Sequence, residues 1–371
     1  MDAESRDPTA LRPPRNLVRR LDHERLEAAK FGFVTRRVAV GQIETLVVGN
    51  LAPRAGDLVL ARVEKVGHHS RVQMPSGRRS QLFAGDEVVV CYGNRYAPNQ
   101  FEALIPPDLG PCHLVAGGGI ASEVLSAHSQ MRAATRLRPV GLLGDAENRR
   151  LNIGDFGLPA PRAAVNPAIP VIVVVGTSMD AGKTTAVSHL VKGAARAGMC
   201  VGAGKATGTG AGNDVWSMED AGAHQVLDFT DFGHATTYRL AIPEVEAILQ
   251  KMAIYLQQAR ADIVIIEIAD GLLQQETAAL LQSPTFTNLV RGVIFCAGDA
   301  MGAEAGVNWL EQRGIPTLAV TGVLTASPLA IQEARQVTSL PVLRCDELAT
   351  PAVVRELLAV PTGGGAAMLG A

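Results

Sequence analysis

The sequence predicts an α/β protein with a mostly parallel sheet, preceded by a smaller β-rich, barrel-like domain. Residues 171–175 (Val-Ile-Val-Val-Val) form an apolar and largely β-branched run, typical of a strand that is buried on both faces. After residue 168 such runs alternate with helical patterns, which is the order of a parallel sheet with right-handed crossovers. Between residues 31 and 106, short apolar runs separated by Gly, Asn, Asp and Pro indicate a small barrel or sandwich.

The composition of the chain argues against several functional classes. A chain of 371 residues is long enough for two domains, and its net charge of −2 gives no global basic field for nucleic acid. The five cysteines contain no C-x-x-C pair, which favours a reducing compartment over a disulfide framework or a zinc site. The polar start lacks the apolar core of a signal peptide, and no apolar run approaches a membrane span. We therefore predict a cytoplasmic protein without a membrane segment.

The N-terminal part begins with a Pro- and Arg-rich leader and a short helix predicted over Leu21 to Lys30. Strands are predicted at 34–40, 45–48, 58–66, 71–74 and 87–92. Basic residues cluster there and could form a nucleic-acid face, a charged surface or a site for an anionic small molecule: Arg62, Lys65, His68, His69, Arg71, Arg78 and Arg79. Because aromatic side chains for base stacking are few, we do not expect nucleic acid.

A third segment starts near Leu114. Gly117 to Gly119 precede a predicted helix over 122–132 with Ser122 as N-cap, so the glycines serve either as an anion-accepting turn or as a hinge. Residues 136–143 predict a strand with basic residues at its start. Four prolines between 159 and 170 indicate a linker.

The strongest motif follows the strand at 171–175. A loop of small residues leads to Gly-Lys-Thr and a helix predicted over 184–197, an arrangement whose backbone amides and helix N-terminus cradle phosphate. The first glycine of G-x-x-x-x-G-K-[ST] would fall at position 177, which is threonine, and a glycine lies one residue earlier. The predicted nucleotide contacts are Gly176, Thr177, Ser178, Asp180, Ala181, Gly182, Lys183, Thr184 and Thr185. Lys183 is expected to reach the β- and γ-phosphates, and the Thr184 hydroxyl to bind Mg²⁺.

The loop Gly-Thr-Ser-Met-Asp-Ala-Gly-Lys-Thr-Thr resembles that of the SIMIBI class of P-loop NTPases, and within it dethiobiotin synthetase and the cobyrinic acid amide synthases, whose loops read G-T-x-x-x-x-G-K-[ST]. The resemblance covers about residues 168–350. In other members of the class a signature lysine in this loop reaches across a dimer, and here its position is Ser178. We therefore do not expect a lysine contact between subunits, but we do expect a homodimer. We divide the chain into a basic leader with a short helix (1–30), a small barrel-like domain (31–110), a connecting α/β segment and linker (111–165), a P-loop nucleotide-binding domain (166–360) and a flexible tail (361–371).

Other candidate residues lie where further predicted strands end. Glu267 closes the apolar run 263–266 in the manner of a Walker-B acid, and the run at 200–204 leads into Lys205 and a glycine-dense loop. The resemblance implies that Glu267 binds Mg²⁺, with Ile268 in place of the glycine that follows it in those families. It also implies that Lys205 contacts phosphate and that Asp220 is a second Mg²⁺ ligand, with Asp214 as its competitor. Weaker metal candidates are Asp228 and Asp231; Asp270 is a candidate catalytic group, and the candidate substrate contacts are Thr207, Thr209, Asp214 and Asp299.

These residues lead to two functional hypotheses. A guanine-reading N-K-x-D is absent where it would sit, at residues 321–324, so we expect ATP, although the adenine-contacting Asn of the resembling families is missing there too. The main hypothesis, implied by the resemblance, is a Mg-ATP-dependent ligase or kinase that phosphorylates a small acid, in the ligase case for amide or ring formation. The alternative is a nucleotide-hydrolysing switch acting on a protein or cofactor, with the loops 228–233 and 269–271 moving around the γ-phosphate. A nucleic-acid-linked ATPase is a third, weaker alternative.

Overall fold

The computed structural model describes residues 17–360, so the leader up to residue 16 and the tail 361–371, for which we predict loose structure, lie outside the described residues. The N-terminal half contains one short helix, α1 (His23–Ala28), and two sheets. Its strands are β1 (Leu17–Arg20), β2 (Lys30–Phe31), β3 (Thr45–Val48), β4 (Leu58–Lys65), β5 (Arg71–Gln73), β6 (Arg79–Gln81), β7 (Glu87–Tyr92), β8 (Arg95–Tyr96), β9 (Phe101–Leu104), β10 (Cys112–Ala116), β11 (Ile120–Ala127) and β12 (Thr135–Gly144).

Five of these strands close on themselves. β4 pairs with β7 and β12, β7 pairs with β11, and β10 joins β11 to β12, so the pairing runs in a ring. Closure of this kind removes the exposed sheet edges of those strands. The predicted barrel-like domain is therefore present, but its wall includes strands from residues 112–144, which we had placed in a separate connecting segment.

Two predicted elements in this half are wrong. The helix predicted over 122–132 is strand β11, because Ser122 pairs with His113 of β10 and Val124 with Ala103 of β9. The strand predicted at 34–40 is replaced by two 3₁₀ turns, Phe33–Thr35 and Val40–Gln42. In the first turn three consecutive residues are buried, since Phe33 lies edge-on to Trp216 of the second domain with ring centroids 5.8 Å apart. The burial of Phe33 therefore comes from its contact with the second domain and not from strand pairing.

The second half is a parallel sheet of six strands in the order β15-β14-β16-β13-β17-β18. The strands are β13 (Val171–Gly176), β14 (Val201–Lys205), β15 (Gln225–Asp228), β16 (Ile263–Glu267), β17 (Gly292–Cys296) and β18 (Thr317–Thr321). The helices are α2 (Lys183–Arg196), α3 (Gly212–Ala221), α4 (Ile242–Gln258), α5 (Gln275–Leu281), α6 (Pro284–Leu289), α7 (Ala300–Glu311), α8 (Pro328–Val337), α9 (Cys345–Leu348) and α10 (Pro351–Ala359). Every neighbouring pair in this sheet is parallel, as the alternating pattern predicts.

Helices cover both faces of the sheet. Along β13, Val171, Val173 and Val175 face the side of α4 and α7, whereas Ile172 and Val174 face the side of α2 and α10. Each fully buried side chain of this size contributes about 1.5–3 kcal/mol of transfer free energy, which explains why the central strand is apolar at every position. The sequence pattern does not predict β15, and a single parallel bridge joins Val320 of β18 to Val342. None of the helices in the described chain has the length and apolar character to cross a membrane.

Polar contacts join the two halves. The Arg36 guanidinium lies 3.0 Å from an Asp228 carboxylate oxygen and 2.7 Å from one of Asp231, and all three side chains are largely buried. Gln73 of β5 accepts a hydrogen bond from the first amide of α3, that of Gly212, at 2.8 Å. These contacts fix the barrel against the carboxyl ends of the parallel strands, where open α/β sheets bind ligands.

A candidate phosphate and anion site between the two domains

The loop between β13 and α2 wraps around a lysine. The Lys183 ammonium donates to the Ser178 carbonyl at 2.6 Å, and burial lowers the pKa of Lys183 below its ordinary value. A Cβ on Gly176 would come within 2.8 Å of the Cys296 carbonyl oxygen, and Gly182 has φ +96° where the helix begins. Both positions therefore require glycine. The α2 helix begins at Lys183, so its first amides face the loop as a phosphate-binding turn requires.

A second cluster lies at the ends of the neighbouring strands. Because β14 and β16 are paired in register, Lys205 stands opposite Glu267. The Lys205 ammonium lies 3.1 Å from Glu267 Oε1 and also contacts the Asp214 carboxylate. Burial alone would lower the pKa of Lys205, but the two carboxylates raise it above its ordinary value. Lys205 is thus held as a fixed cation at the edge of the sheet.

The oxygen atoms near Lys183 and Lys205 suit a magnesium ion. Glu267 is 2% exposed, and its Oε2 has no hydrogen-bond partner among residues 17–360, although an unpaired buried acceptor is costly. Thr184, Asp214 and Glu267 line one cavity, and Mg²⁺ in nucleotide sites is held by one or two carboxylates together with phosphate oxygens. In the described chain no three His, Cys, Asp or Glu side chains cluster as a complete metal site, so phosphate and water would complete this one.

The remaining predicted side chains divide into two groups. Thr209 lines the cavity, whereas Asp220 lies exposed near the end of α3 and does not. Thr207 is buried, and its hydroxyl oxygen accepts a hydrogen bond from the Ala269 amide. Asp299 caps α7 by accepting a hydrogen bond from the Gly302 amide at 2.7 Å. The weaker metal candidates Asp228 and Asp231 are the partners of Arg36. The geometry therefore favours Asp214 over Asp220, and it gives Thr207 and Asp299 structural hydrogen bonds.

Asp270 lies beside the phosphate loop in an unusual backbone conformation. Its φ is +63°, a left-handed value that few residues other than glycine adopt. Burial raises the pKa of Asp270 to about 6, partly opposed by Lys183 and Lys205. Gly271 packs so closely on the Thr177 carbonyl that any side chain there would clash. Asp270 is consequently a carboxyl group whose protonation changes near neutral pH, within the cavity that holds both lysines.

The cavity has two walls of opposite composition and a volume of about 840 Å³. The phosphate-loop wall carries two lysines and four carboxylates: Lys183, Lys205, Asp180, Asp214, Glu267 and Asp270. The barrel wall carries three arginines, two histidines and no carboxylate: Arg71, Arg79, Arg95, His68 and His69. The basic cluster in the sequence indicates four of these five residues. Arg95 has no such signal, because it reaches the cavity through the pairing of β8 with β9 and through its own contact with Val115 of β10.

Comparisons with known proteins do not assign a family. No protein-family model matches the chain, and no curated protein matches it. Among solved structures, the signal recognition particle receptor FtsY from Elizabethkingia anophelis is 17% identical, with 57% of this chain and 76% of that chain covered and a TM-score of 0.34. The signal recognition particle 54 kDa protein from Aeropyrum pernix K1, solved in complex with GDP, is 20% identical over 52% of this chain and 50% of that chain, with a TM-score of 0.35. Chloroplast FtsY from Physcomitrella patens is 15% identical over 55% of this chain and 70% of that chain, with a TM-score of 0.36.

Proposed function

We propose that the protein binds a nucleoside triphosphate with magnesium and transfers its γ-phosphoryl group to a small anionic molecule held between the two walls. The observation that carries the proposal is the cavity itself. It joins the turn at Lys183 to a second wall whose cations make no salt bridge with a carboxylate of residues 17–360, and its volume of about 840 Å³ leaves room for a second ligand beside a triphosphate.

The residues of the phosphate-loop wall suit phosphoryl transfer. Catalysis of this reaction is mostly positioning and electrostatic stabilisation of charge on the transferred group. Lys183 and Lys205 place two cations at the phosphate end of the cavity. Thr184, Asp214 and Glu267 would hold magnesium, which when bound neutralises phosphate charge. Thr209 lies where it can donate to the substrate.

Asp270 suits the step after transfer. A carboxylate oxygen of the acceptor attacks the γ-phosphorus and releases the nucleoside diphosphate; an amine then displaces phosphate from the acyl phosphate, and the amine must lose a proton. Because burial raises the pKa of Asp270 to about 6, the group is ionised at pH 7–8 and basic enough to accept that proton. Without an amine, the first step alone is a kinase reaction.

A second candidate function rests on a different contact. Asn99 of the barrel donates to Asp180 of the phosphate loop at 2.7 Å, and Asp180 has φ +63°. Nucleotide binding at this loop could therefore move the barrel, and hydrolysis would act as a switch for a protein or cofactor partner. The similar solved structures are signal recognition particle proteins, and at TM-scores below 0.5 they do not decide between the candidates. None of the comparisons supports a ligase, a kinase, or ATP over GTP, so these assignments rest on the cavity and on the sequence.

The test is nucleoside diphosphate formation from ATP and from GTP, each with magnesium, alone and with a panel of small carboxylic acids and amines, with phosphate release followed in parallel. Phosphoryl transfer predicts turnover that rises with one acid and yields a phosphorylated or amidated product detectable by mass spectrometry. Full turnover without any small molecule contradicts transfer and favours the switch. Failure to form either nucleoside diphosphate under any of these conditions contradicts both candidates.

A further inference from the structure

The barrel wall contains a buried cation, Arg95, that makes no salt bridge within residues 17–360. Arg95 is 6% exposed, and no carboxylate of residues 17–360 lies within salt-bridge distance of it. Its guanidinium donates to the Val115 carbonyl and, at 2.6 Å, to Gln100 Oε1, while its Nε has no partner in the described chain. An arginine this deeply buried is normally paired, because removing a charge from water is costly.

Arg95 is one of two donors to the Val115 carbonyl, whereas its bond to Gln100 Oε1 is not duplicated among residues 17–360. The Val115 carbonyl also accepts a hydrogen bond from His69 Nε2 at 2.8 Å, so it stays paired without the arginine. Burial lowers the pKa of Arg95 to about 10, partly opposed by the charge of Asp270, and burial together with the nearby Arg95 charge lowers the pKa of His69 to about 3. His69 is therefore neutral, and the guanidinium supplies the positive charge at this point of the cavity.

We propose that Arg95 is the base of a subsite that binds a small anion, a carboxylate or phosphate group, on the barrel wall opposite the phosphate loop. The guanidinium fork matches both groups, and its fixed position reduces the entropy lost on binding. Arg71 and Arg79 line the same wall closer to solvent, and neither has a carboxylate partner among residues 17–360. Anion binding at Arg95 does not depend on the proposed function. Only the identification of the bound anion as the phosphoryl acceptor rests on it.

Calorimetric titration at fixed ionic strength tests the subsite, with succinate and inorganic phosphate as probes. The titrations use the wild type and the Lys183→Ala variant, whose phosphate loop no longer holds phosphate, so the result does not depend on nucleotide turnover. We expect at least one probe to bind both proteins. Arg95→Gln should weaken that binding by roughly tenfold or more. The matched control is Arg138→Gln, an exposed barrel arginine outside the cavity, which should leave binding within about twofold.

Melting temperatures separate a subsite from a structural role. If Arg95 binds a ligand, Arg95→Gln keeps or raises the melting temperature of the free protein, and Arg95→Lys keeps a charge but loses the fork and binds the anion weakly. Three results would overturn the inference: neither probe binds the wild type, Arg95→Gln binds as the wild type does, or Arg95→Gln weakens nucleotide binding as strongly as anion binding. The titration of the wild type needs no variant, so the inference can be overturned even if a variant fails to fold.

Discussion

The two walls of the cavity differ in how their charges are balanced. On the phosphate-loop wall Lys205 is held between Asp214 and Glu267, and the loop folds around Lys183. On the barrel wall Arg95 is buried and makes no salt bridge in the described chain, and Asp270 acts on it only as a longer-range charge. The first wall has the carboxylates that a metal–phosphate complex needs, and the second has a positive charge that an anion would neutralise. The difference indicates two ligands: a metal–phosphate complex at the phosphate-loop wall and an anion at the barrel wall.

The largest expected effect follows from removing the cation of the phosphate loop. Lys183→Ala should lower nucleotide turnover by about 10³-fold, because the lysine neutralises charge on the phosphates. Since burial already lowers the pKa of Lys183, the charge does not stabilise the fold, and we expect little change in melting temperature. Lys192→Ala, in the same helix and outside the cavity lining, is the control for steady-state phosphate release. Equal rates in both variants would contradict a phosphate role for this wall.

Removing the acid of the same wall should have the next largest effect. Glu267→Gln keeps the shape of the side chain but takes away the charge beside the unpartnered Oε2. Turnover should fall by about 10²-fold, and half-saturation should need a higher magnesium concentration. A magnesium titration of phosphate release, with the exposed Glu219→Gln as control, measures both changes. An unchanged magnesium requirement would place the metal elsewhere.

A third substitution weakens the attachment between the walls. Arg36→Gln leaves Asp228 and Asp231 buried without their main cation, and breaking such a pair costs about 3 kcal/mol. The matched control is the neighbouring Arg37→Gln: Arg37 is 36% exposed and lies 3.5 Å from Asp231, so its loss should cost less than about 1 kcal/mol. Urea unfolding at pH 7 gives both values. Equal losses would mean that Arg36 is not the main contact between the domains.

The two walls also differ in how well the sequence predicts them. The phosphate-loop wall is built from contiguous signals, since a fully buried strand, the Gly-Lys-Thr turn and the acid at 267 follow from local patterns. The parallel sheet is therefore predicted correctly, with α2 shifted by one residue. The barrel wall depends on pairing between strands that are distant in the sequence. Arg95 reaches the cavity through such pairing, and β11 was predicted as a helix because its partners β9 and β10 are not visible locally.

The smallest expected effect is an increase in the free energy of unfolding, whereas the other substitutions lower activity or stability. Because the pKa of Asp270 is about 6 when folded and ordinary when unfolded, its ionisation in the native state costs stability above pH 6. Asp270→Asn should stabilise the protein by about 1–2 kcal/mol at pH 8, and asparagine tolerates the left-handed φ of +63°. The difference should shrink as pH falls through 6 and vanish near pH 4, where both states of the wild type bind the proton. Urea unfolding of both proteins across this range, with the exposed Asp220→Asn as the control, measures the difference. A gap that does not depend on pH would mean that Asp270 is not a buried titrating group, and its role as proton acceptor in the cavity would fail with it.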